Sequence, residues 1–400
     1  MPTTAANGHR RRDVLVLGLL STFGPISLDL YLAALPQLAA ELRTSAAAAQ
    51  LSITTCLLGL AVGQVVAGPL SDRFGRRRPL VIGLVLYLLA SAACSLAPSI
   101  TVLLLLRLFQ GLAGAAGLVI ARAVARDLYS GRALVVFFAR LMLISGFAPV
   151  VAPVLGGQLT RVMSWRGIFL VLAAFGLLLL LAGLTLPESL PPERRTTGGI
   201  AVTLRGFRIL LGDRLFVGAA LSSGLVGASL FAYIAGSTFV LQEIYGLSPQ
   251  AFSLVFGANS VAILAMGQLA AGLTRWWSAG QILALGVLVN LLGAAALAVS
   301  VLAGLGLWFV VVSLLVMVSA VGLVFAPATA LAMADYPEQA GAASSLLGLG
   351  QYIAGALVAP LVGLGGSQSA TPLAVVALAS SIGAGVVYAL LVRPALRSQV

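Results

Sequence analysis

Apolar stretches recur along the whole chain and break at short polar punctuation. A bilayer-spanning helix needs about 20 apolar residues. The stretches fall near 14–36, 48–70, 79–97, 100–124, 134–158 and 165–187, then 215–241, 250–273, 279–301, 306–333, 341–364 and 370–392. The pattern predicts an all-α membrane protein with twelve transmembrane helices. The longest polar stretch, 188–214, holds Pro191, Pro192, Glu193, Arg194, Arg195, Gly198 and Gly199. It reads as a linker between an N-terminal six-helix half (14–187) and a C-terminal one (215–392), with tails at 1–13 and 393–400.

Composition narrows the class. Of the 400 residues, 60% are hydrophobic and 8% charged. A water-soluble fold cannot hide that much apolar surface, so soluble enzymes and disordered chains are excluded. The net charge is +12, carried by Arg with no Lys. In a soluble chain this would suggest nucleic acid. Here the positive-inside rule accounts for it, and no nucleic-acid partner is expected. Arg10–Arg12, Arg73, Arg76–Arg78, Arg126, Arg132, Arg140 and Arg194, Arg195, Arg205, Arg208 and Arg214 fall on one side. Only Arg43, Arg161 and Arg166 fall on the other. Both termini are therefore expected in the cytoplasm of a multi-pass protein of the cell membrane, in a bacterium the inner membrane. The basic N-terminus precedes a long apolar run without a small-residue cleavage site, which reads as a first helix and not a signal peptide. His9 lies in the tail, and Cys56 and Cys94 lie inside apolar stretches. Nothing there suggests a disulfide framework, metal cluster, cofactor or nucleophile.

An internal repeat supports the division. Gly63-Gln64-x-x-Ala67-Gly68 recurs as Gly267-Gln268-x-x-Ala271-Gly272. Ala152-Pro153-x-x-Gly156 recurs as Ala359-Pro360-x-x-Gly363, and Gly117-Leu118-Val119 as Gly322-Leu323-Val324. All three offsets are about 205 residues. Two parallel halves with a midplane site between them is a transporter arrangement.

Charges inside spans are functional candidates, because burying one costs several kcal/mol. Asp29 lies deep in predicted helix 1 and Arg107 about two turns into helix 4. They are the charges set well away from an interface. An acid whose proton affinity changes as its surroundings open to either side is a proton carrier. The bland alternative is an Asp–Arg pair that fixes helix packing. In helix 4, Arg107, Gln110, Gly111 and Gly114 share one face, and the glycines are read as packing residues. Helix 5 holds Gly146, Pro149, Pro153, Gly156 and Gly157, a pattern for bending and close packing.

The loop Gly68-Pro69-Leu70-Ser71-Asp72-Arg73-Phe74-Gly75-Arg76-Arg77-Arg78 places an acid and glycines where a simple basic turn needs neither. It resembles the signature loop of the major facilitator superfamily at every position. The resemblance implies a cytoplasmic gate: Asp72, Arg73, Gly75 and Arg76 in the loop, with Arg76 pairing to Asp127 at the end of helix 4. The second-half copy, Leu273-Thr274-Arg275-Trp276-Trp277, departs from the pattern and argues against a symmetric latch. The helix 4 pattern resembles the family motif whose Arg is implicated in proton coupling, a role that passes to Arg107. The helix 5 pattern resembles the family's exporter motif, with Ala152 where Gly is usual. Asp29-Leu-Tyr31-Leu-Ala-Ala-Leu35-Pro36, and the stretch from Tyr233 through Gln242 to Asn259, resemble the bicyclomycin/chloramphenicol-resistance branch of drug:proton antiporters. Ser21 stands where some relatives carry a second acid, so divalent cationic drugs are not expected as cargo.

The resemblance implies a cavity lined by helices 1, 4, 7 and 10, with Tyr31, Gln110, Phe231, Tyr233, Phe239 and Asn259 as candidate substrate-binding residues. Aromatic and amide side chains suit an amphipathic compound. Core packing is the competing role for each. The expected protein is a monomeric, proton-coupled exporter of drugs or antibiotics, such as chloramphenicol- or bicyclomycin-like molecules. Its partners are a small organic substrate, protons and the bilayer. The alternative is a proton-coupled carrier of a metabolite. A membrane enzyme or receptor is disfavoured, because no catalytic constellation and no long extramembrane segment is present.

Overall fold

A computed structural model describes residues 14–129, 131–195, 199–336 and 340–397. His9, Arg10–Arg12, Gly198 and Glu338 lie outside them. The described residues are almost wholly helical: α1 (Val14–Leu20), α2 (Phe23–Asp29), α3 (Leu35–Glu41), α4 (Ala46–Phe74), α5 (Arg77–Ser95), α6 (Ile100–Leu128), α7 (Gly131–Leu159) and α8 (Trp165–Leu184) come first. Then follow α9 (Gly199–Leu210), α10 (Arg214–Phe239), α11 (Pro249–Leu273), α12 (Ala279–Leu302), α13 (Leu307–Ser319), α14 (Val321–Met333), α15 (Ala340–Gly363), α16 (Thr371–Val387) and α17 (Arg393–Arg397).

Among the described residues, 10 helices are long and apolar enough to cross a membrane, or 11 with the bent α1–α3 pair. The apolar stretch Ile144–Leu159 of α7 is a shorter one. The ends follow local chemistry. Ser45, Ser99, Ser248 and Ser278 each cap a helix by accepting a backbone N–H in the first turn.

Two expectations need correction. The first predicted helix is not continuous. It bends by 46° between α1 and the α2–α3 stretch. Ser21 Oγ donates to the Gly18 carbonyl and Thr22 Oγ1 to the Leu19 carbonyl, while Pro25 has no N–H to give. Side chains that compete for the helix ladder, next to a proline, bend a helix. The tenth predicted helix stands as one span, Leu307–Met333, with a one-residue break at Ala320 between α13 and α14. The linker contains a helix, α9, which packs against both α4 and α15 and buries Phe207 and Leu210.

Packing is tightest where small residues meet. α4 runs beside α6, and a Cβ on Gly59 would collide with the Leu108 carbonyl, one on Gly111 with the Cys56 carbonyl. A Cβ on Gly63 would sit 2.6 Å from the Leu112 carbonyl oxygen. Lipid offers no hydrophobic drive between helices, so backbone approach of this kind supplies the dispersion contact that holds them. α12 and α13 meet in the same way at Gly293, whose Cβ would collide with the Met317 backbone. There Asn290 donates to Ser229 and to the Met317 carbonyl, and accepts from Ser381. Helices α2–α8 pack mainly among themselves, as do α10–α16. The two sets meet along α4 with α15 and α7 with α11.

The α4–α6 contact gives a test. Gly111→Leu forces its side chain into backbone, and overpacking of this kind costs about 1–3 kcal/mol. Cys56 and Cys94 are both buried, so a thiol-reactive dye at neutral pH reports unfolding. The substitution should lower the unfolding midpoint by several degrees, whereas an unchanged midpoint would mean the seam is loose.

Candidate functional site

Arg107 is fully buried in α6, and among the described residues no carboxylate pairs with it. Neutral groups enclose it. Its Nε donates to the Ser52 carbonyl at 3.2 Å and its Nη1 to Gln110 Oε1 at 2.5 Å. Gln110 passes its own N–H to Ser91 Oγ at 2.7 Å. The guanidinium lies 4.6 Å from the Tyr31 ring and 5.6 Å from the Phe169 ring, over π faces that attract a cation. Tyr31 shares a hydrogen bond with Ser52 Oγ at 2.9 Å. The second terminal nitrogen, Nη2, is buried without a partner. Tyr31 and Gln110, candidates for substrate contact, are thus walls of this cage and present no surface in this conformation.

Asp29 ends α2 and is also buried, yet it forms no hydrogen bond or ion pair among the described residues. Its carboxyl is not among the groups that contact Arg107. Residues two apart do not share a face; Tyr31 turns toward Arg107, and Asp29 turns toward the second set of helices. Its carboxyl lies within electrostatic range of the hydroxyls of Tyr233 on α10 and Tyr352 on α15. A Cβ at Gly24, five residues before, would sit 3.3 Å from the Tyr352 hydroxyl.

The remaining cavity candidates are placed together on α10 and α11. Asn259 donates to the Tyr233 hydroxyl at 2.9 Å, and Tyr233 stacks on Phe256 at 5.0 Å between centroids. Phe231 lies 6.2 Å from the Tyr352 ring and against Gly355. Phe239 is buried near the end of α10. The α7 residues form a seam with helix 1 and α11. A Cβ on Gly156 would collide with the Leu30 carbonyl, one on Gly157 with Ser253 Oγ, and one on Gly146 would lie 2.9 Å from Leu264. Ser260 Oγ donates to the Pro149 carbonyl at 2.9 Å. Pro153 sits inside the same helix.

At the other end of α4 and α6 the signature loop forms a latch. Arg76 Nε donates to Asp127 Oδ2 at 2.9 Å, and its Nη1 bonds Ser71 Oγ at 2.8 Å and also pairs with Asp72. Burial alone would favour the neutral guanidine. The hydrogen bonds and charges of Asp127 and Asp72 outweigh it and hold Arg76 protonated more firmly than usual. Arg73 takes no part; its guanidinium lies over the Phe74 ring. Gly75 has φ +88°, a left-handed conformation that suits glycine. A Cβ there would also meet Glu188 Oε2 at 2.5 Å.

Glu188 is the latch residue that the sequence reading passed over, because it lies among linker prolines. Its carboxylate accepts from Arg76 N at 2.8 Å, Arg77 N at 3.2 Å and Leu190 N at 3.0 Å. It thereby caps α5, where the helix dipole favours an anion. Ser189 adds a hydrogen bond to Asp127 at 2.9 Å. A Glu directly after the Leu-Pro that ends an apolar stretch was the available signal. A second missed residue is Arg122, inside α6, whose Nε is buried without a partner.

This helical bundle, with its divided first span, buried membrane charges and end latch, is a transporter architecture. The sequence matches the Major Facilitator Superfamily over residues 17–360, and the chain belongs to that family. It is a multi-pass cell-membrane transporter and not an enzyme. It is 38% identical over 370 residues, 92% of each chain, to the MFS-type transporter YdgK of Bacillus subtilis (strain 168). It is 28% identical to the bicyclomycin resistance protein homolog of Haemophilus influenzae, covering 90% of this chain and 91% of that one. Multidrug resistance protein MdtL of Escherichia coli O45:K1 is 28% identical, with 85% and 86% covered. The last two names belong to the branch that the helix 1 and helix 7–8 stretches resemble. Among solved structures, the nucleoside transporter NupG superposes with TM-score 0.74 at 16% identity, over 95% of this chain and 98% of that one. A bacterial homolog of the lysosomal transporter Spinster gives 0.74 at 18% identity, over 97% and 98%.

The latch predicts a pH response. Partial burial raises the proton affinity of Glu188, but the N–H groups of Leu190, Arg76 and Arg77 and the charge of Arg195 more than offset it. Its carboxyl therefore titrates below the usual glutamate range. A depressed value means stabilisation that is present above the ordinary glutamate range and lost as pH falls through the lowered one. Glu188→Gln should unfold at a lower temperature than wild type at pH 7, by tryptophan fluorescence. The gap should close as the pH is lowered through that range. A gap independent of pH would assign the cap to shape and not to charge.

Proposed function

We propose that the chain is a proton-coupled exporter of small organic compounds, an antiporter of drug or antibiotic type. The observation that carries this reading is Asp29: a buried acid about two turns past the bend of the first span, without a hydrogen bond or ion pair among the described residues, and within electrostatic range of Tyr233 and Tyr352 of the second set. Relatives named for bicyclomycin, multidrug and chloramphenicol resistance support the cargo class. In this reading twelve helices form two six-helix halves, 14–187 and 215–392, joined by the linker at 188–214. Both termini and the Arg76 latch face the cytoplasm of a bacterial inner membrane, and the working unit is a monomer.

Asp29 takes up a proton from the outer side and releases cargo. The halves then rock, the latch breaks or closes, and Asp29 gives its proton to the inside. Arg107, caged by neutral groups, stays charged and acts on the cycle through the helix packing it anchors, not as a direct neighbour of Asp29. The halves that rock meet along α4 with α15 and α7 with α11. A membrane potential adds about 2.3 kcal/mol per charge per 100 mV.

Resistance in an efflux-deficient host, at matched membrane expression, tests the reading. Wild type should confer resistance to at least one antibiotic, and Asp29→Asn should fall to the empty-vector level. In proteoliposomes, cargo accumulation should require a pH gradient or potential. Accumulation without either overturns proton coupling. Proton-driven transport without any resistance would favour the metabolite carrier.

A further inference from the structure

The arginines of the signature loop do not all serve the latch. Arg76 is taken by Asp72 and Asp127, and Arg77 donates to the Leu184 carbonyl at the end of α8 at 2.8 Å. Arg73 and Arg78 are exposed, and neither forms a hydrogen bond or ion pair among the described residues. Asp72, the acid nearest them in sequence, is engaged by Arg76. The positive-inside rule accounts for basic residues at this end of the helices but not for their place on the surface. Arg78 stands on the rim of an apolar groove. Phe74 belongs to the same groove, and the Arg73 guanidinium lies 5.2 Å from the centre of its ring.

The groove follows from how three helices pack. α4 and α5 each lie against α6 and touch each other little, so a furrow stays open between them. Small residues make its floor: Gly63 and Ala67 of α4, Gly83 of α5 and Ala116 of α6. A Cβ on Gly83 would sit 2.6 Å from that of Ala116, so α5 comes down directly onto α6. Phe74 walls the furrow on one side and Ile82 and Leu86 on the other, and all three are exposed. The space is about 380 Å³ and its lining is almost wholly apolar. From Arg78 to Leu86 it runs about 12 Å along α5 at 1.5 Å per residue. It thus leads from the latch end of the bundle toward the middle of the span.

We propose that this groove is a binding site for an anionic phospholipid, with one acyl chain along the floor and the headgroup phosphate held by Arg78 and Arg73. The cations stand at the end where headgroups lie and the apolar furrow runs inward, which is the polarity of a lipid in its own leaflet. A guanidinium presents parallel N–H donors that match two phosphate oxygens, and neither arginine gives up an acid to offer them. The small floor residues let a chain sink between two helices, where it gains more dispersion contact than on a flat helix face. Any apolar groove in a bilayer is wetted by lipid tails; two unanswered cations at one end make this one selective for charge. The site lies outside the cargo path and does not rest on the export reading.

The test is lipid binding to the purified full-length protein in a non-ionic detergent, read by native mass spectrometry. The probes are dioleoyl phosphatidylglycerol and dioleoyl phosphatidylcholine at equal concentration. Wild type should hold one phosphatidylglycerol about tenfold more tightly than phosphatidylcholine, the scale of one charge-assisted hydrogen bond. Arg73→Gln with Arg78→Gln should bring the two lipids level, and both positions are exposed, so the variant should fold. Arg205→Gln with Arg208→Gln removes the same charge from exposed positions of α9 and should leave the preference intact. Ile82→Ala with Leu86→Ala, at exposed wall positions, should weaken phosphatidylglycerol several-fold while the charges stay in place. Glycerophosphoglycerol, the headgroup without chains, should fail to displace the bound lipid. A preference that survives the Arg73 and Arg78 substitutions overturns the inference, as does a wild type without preference. A preference that falls equally in the α9 variant overturns it too and leaves only a response to net charge. Unchanged binding in the wall variant, or displacement by the bare headgroup, removes the groove from the site and assigns the arginines to any free phosphodiester.

Discussion

A full positive charge cannot sit in hydrocarbon unless the protein replaces the water it has lost, and Arg107 shows how this chain does so. Its solvent is one backbone carbonyl, one amide oxygen and two aromatic faces. The carbonyl belongs to α4, and it comes within reach because Gly59 and Gly111 let α4 and α6 touch backbone to backbone. The aromatic faces come from Tyr31 and Phe169, which ties the cage to the divided first span and to α8. Small residues, a bent helix and a buried cation are therefore one construction. The glycines are needed for the charge as much as for the packing.

The same logic gives different answers at the membrane edge. There Arg76 is held by two carboxylates and a serine, and Glu188 occupies the N-terminus of the next helix. Where water is near, opposite charges can be both buried and released at modest cost. An ion pair in such a place can break without stranding a charge in hydrocarbon. A charge deep in the bundle that never changes partner is better held by neutral groups, which leave no counter-charge to strand when the helices move.

Much of the fold was legible in the sequence, because lipid makes apolar length a direct measure of a span. The predicted stretches 48–70, 100–124 and 279–301 fall within α4, α6 and α12, and Arg76 with Asp127 was readable from the signature loop. What was not legible depends on side chains competing with backbone. Ser21 and Thr22 look like ordinary small residues in an apolar run, yet they break the first span beside Pro25. Hydropathy cannot tell which way a residue faces. It could not show that Tyr31 is the residue of the first span that meets Arg107. Glu188 was hidden by its prolines, since a helix cap contributed from a distant loop has no local spacing. The amphipathic helix α9 was hidden because a short helix among prolines and arginines reads as linker.

The ion pairs of the described residues have one more property in common. Arg76 with Asp72 and Asp127, and Arg166 with Glu41, all join residues of the first helix set. The seam between the sets is crossed instead by neutral hydrogen bonds, from Gln242 to the Ala33 carbonyl, from Gln250 to Gly157 and Thr160, and from Ser260 to Pro149. Dissolved ions screen charge and leave dispersion and neutral hydrogen bonds almost untouched. The joint between the two sets is therefore indifferent to ionic strength, whereas the partly exposed ion pairs of Arg76 are not.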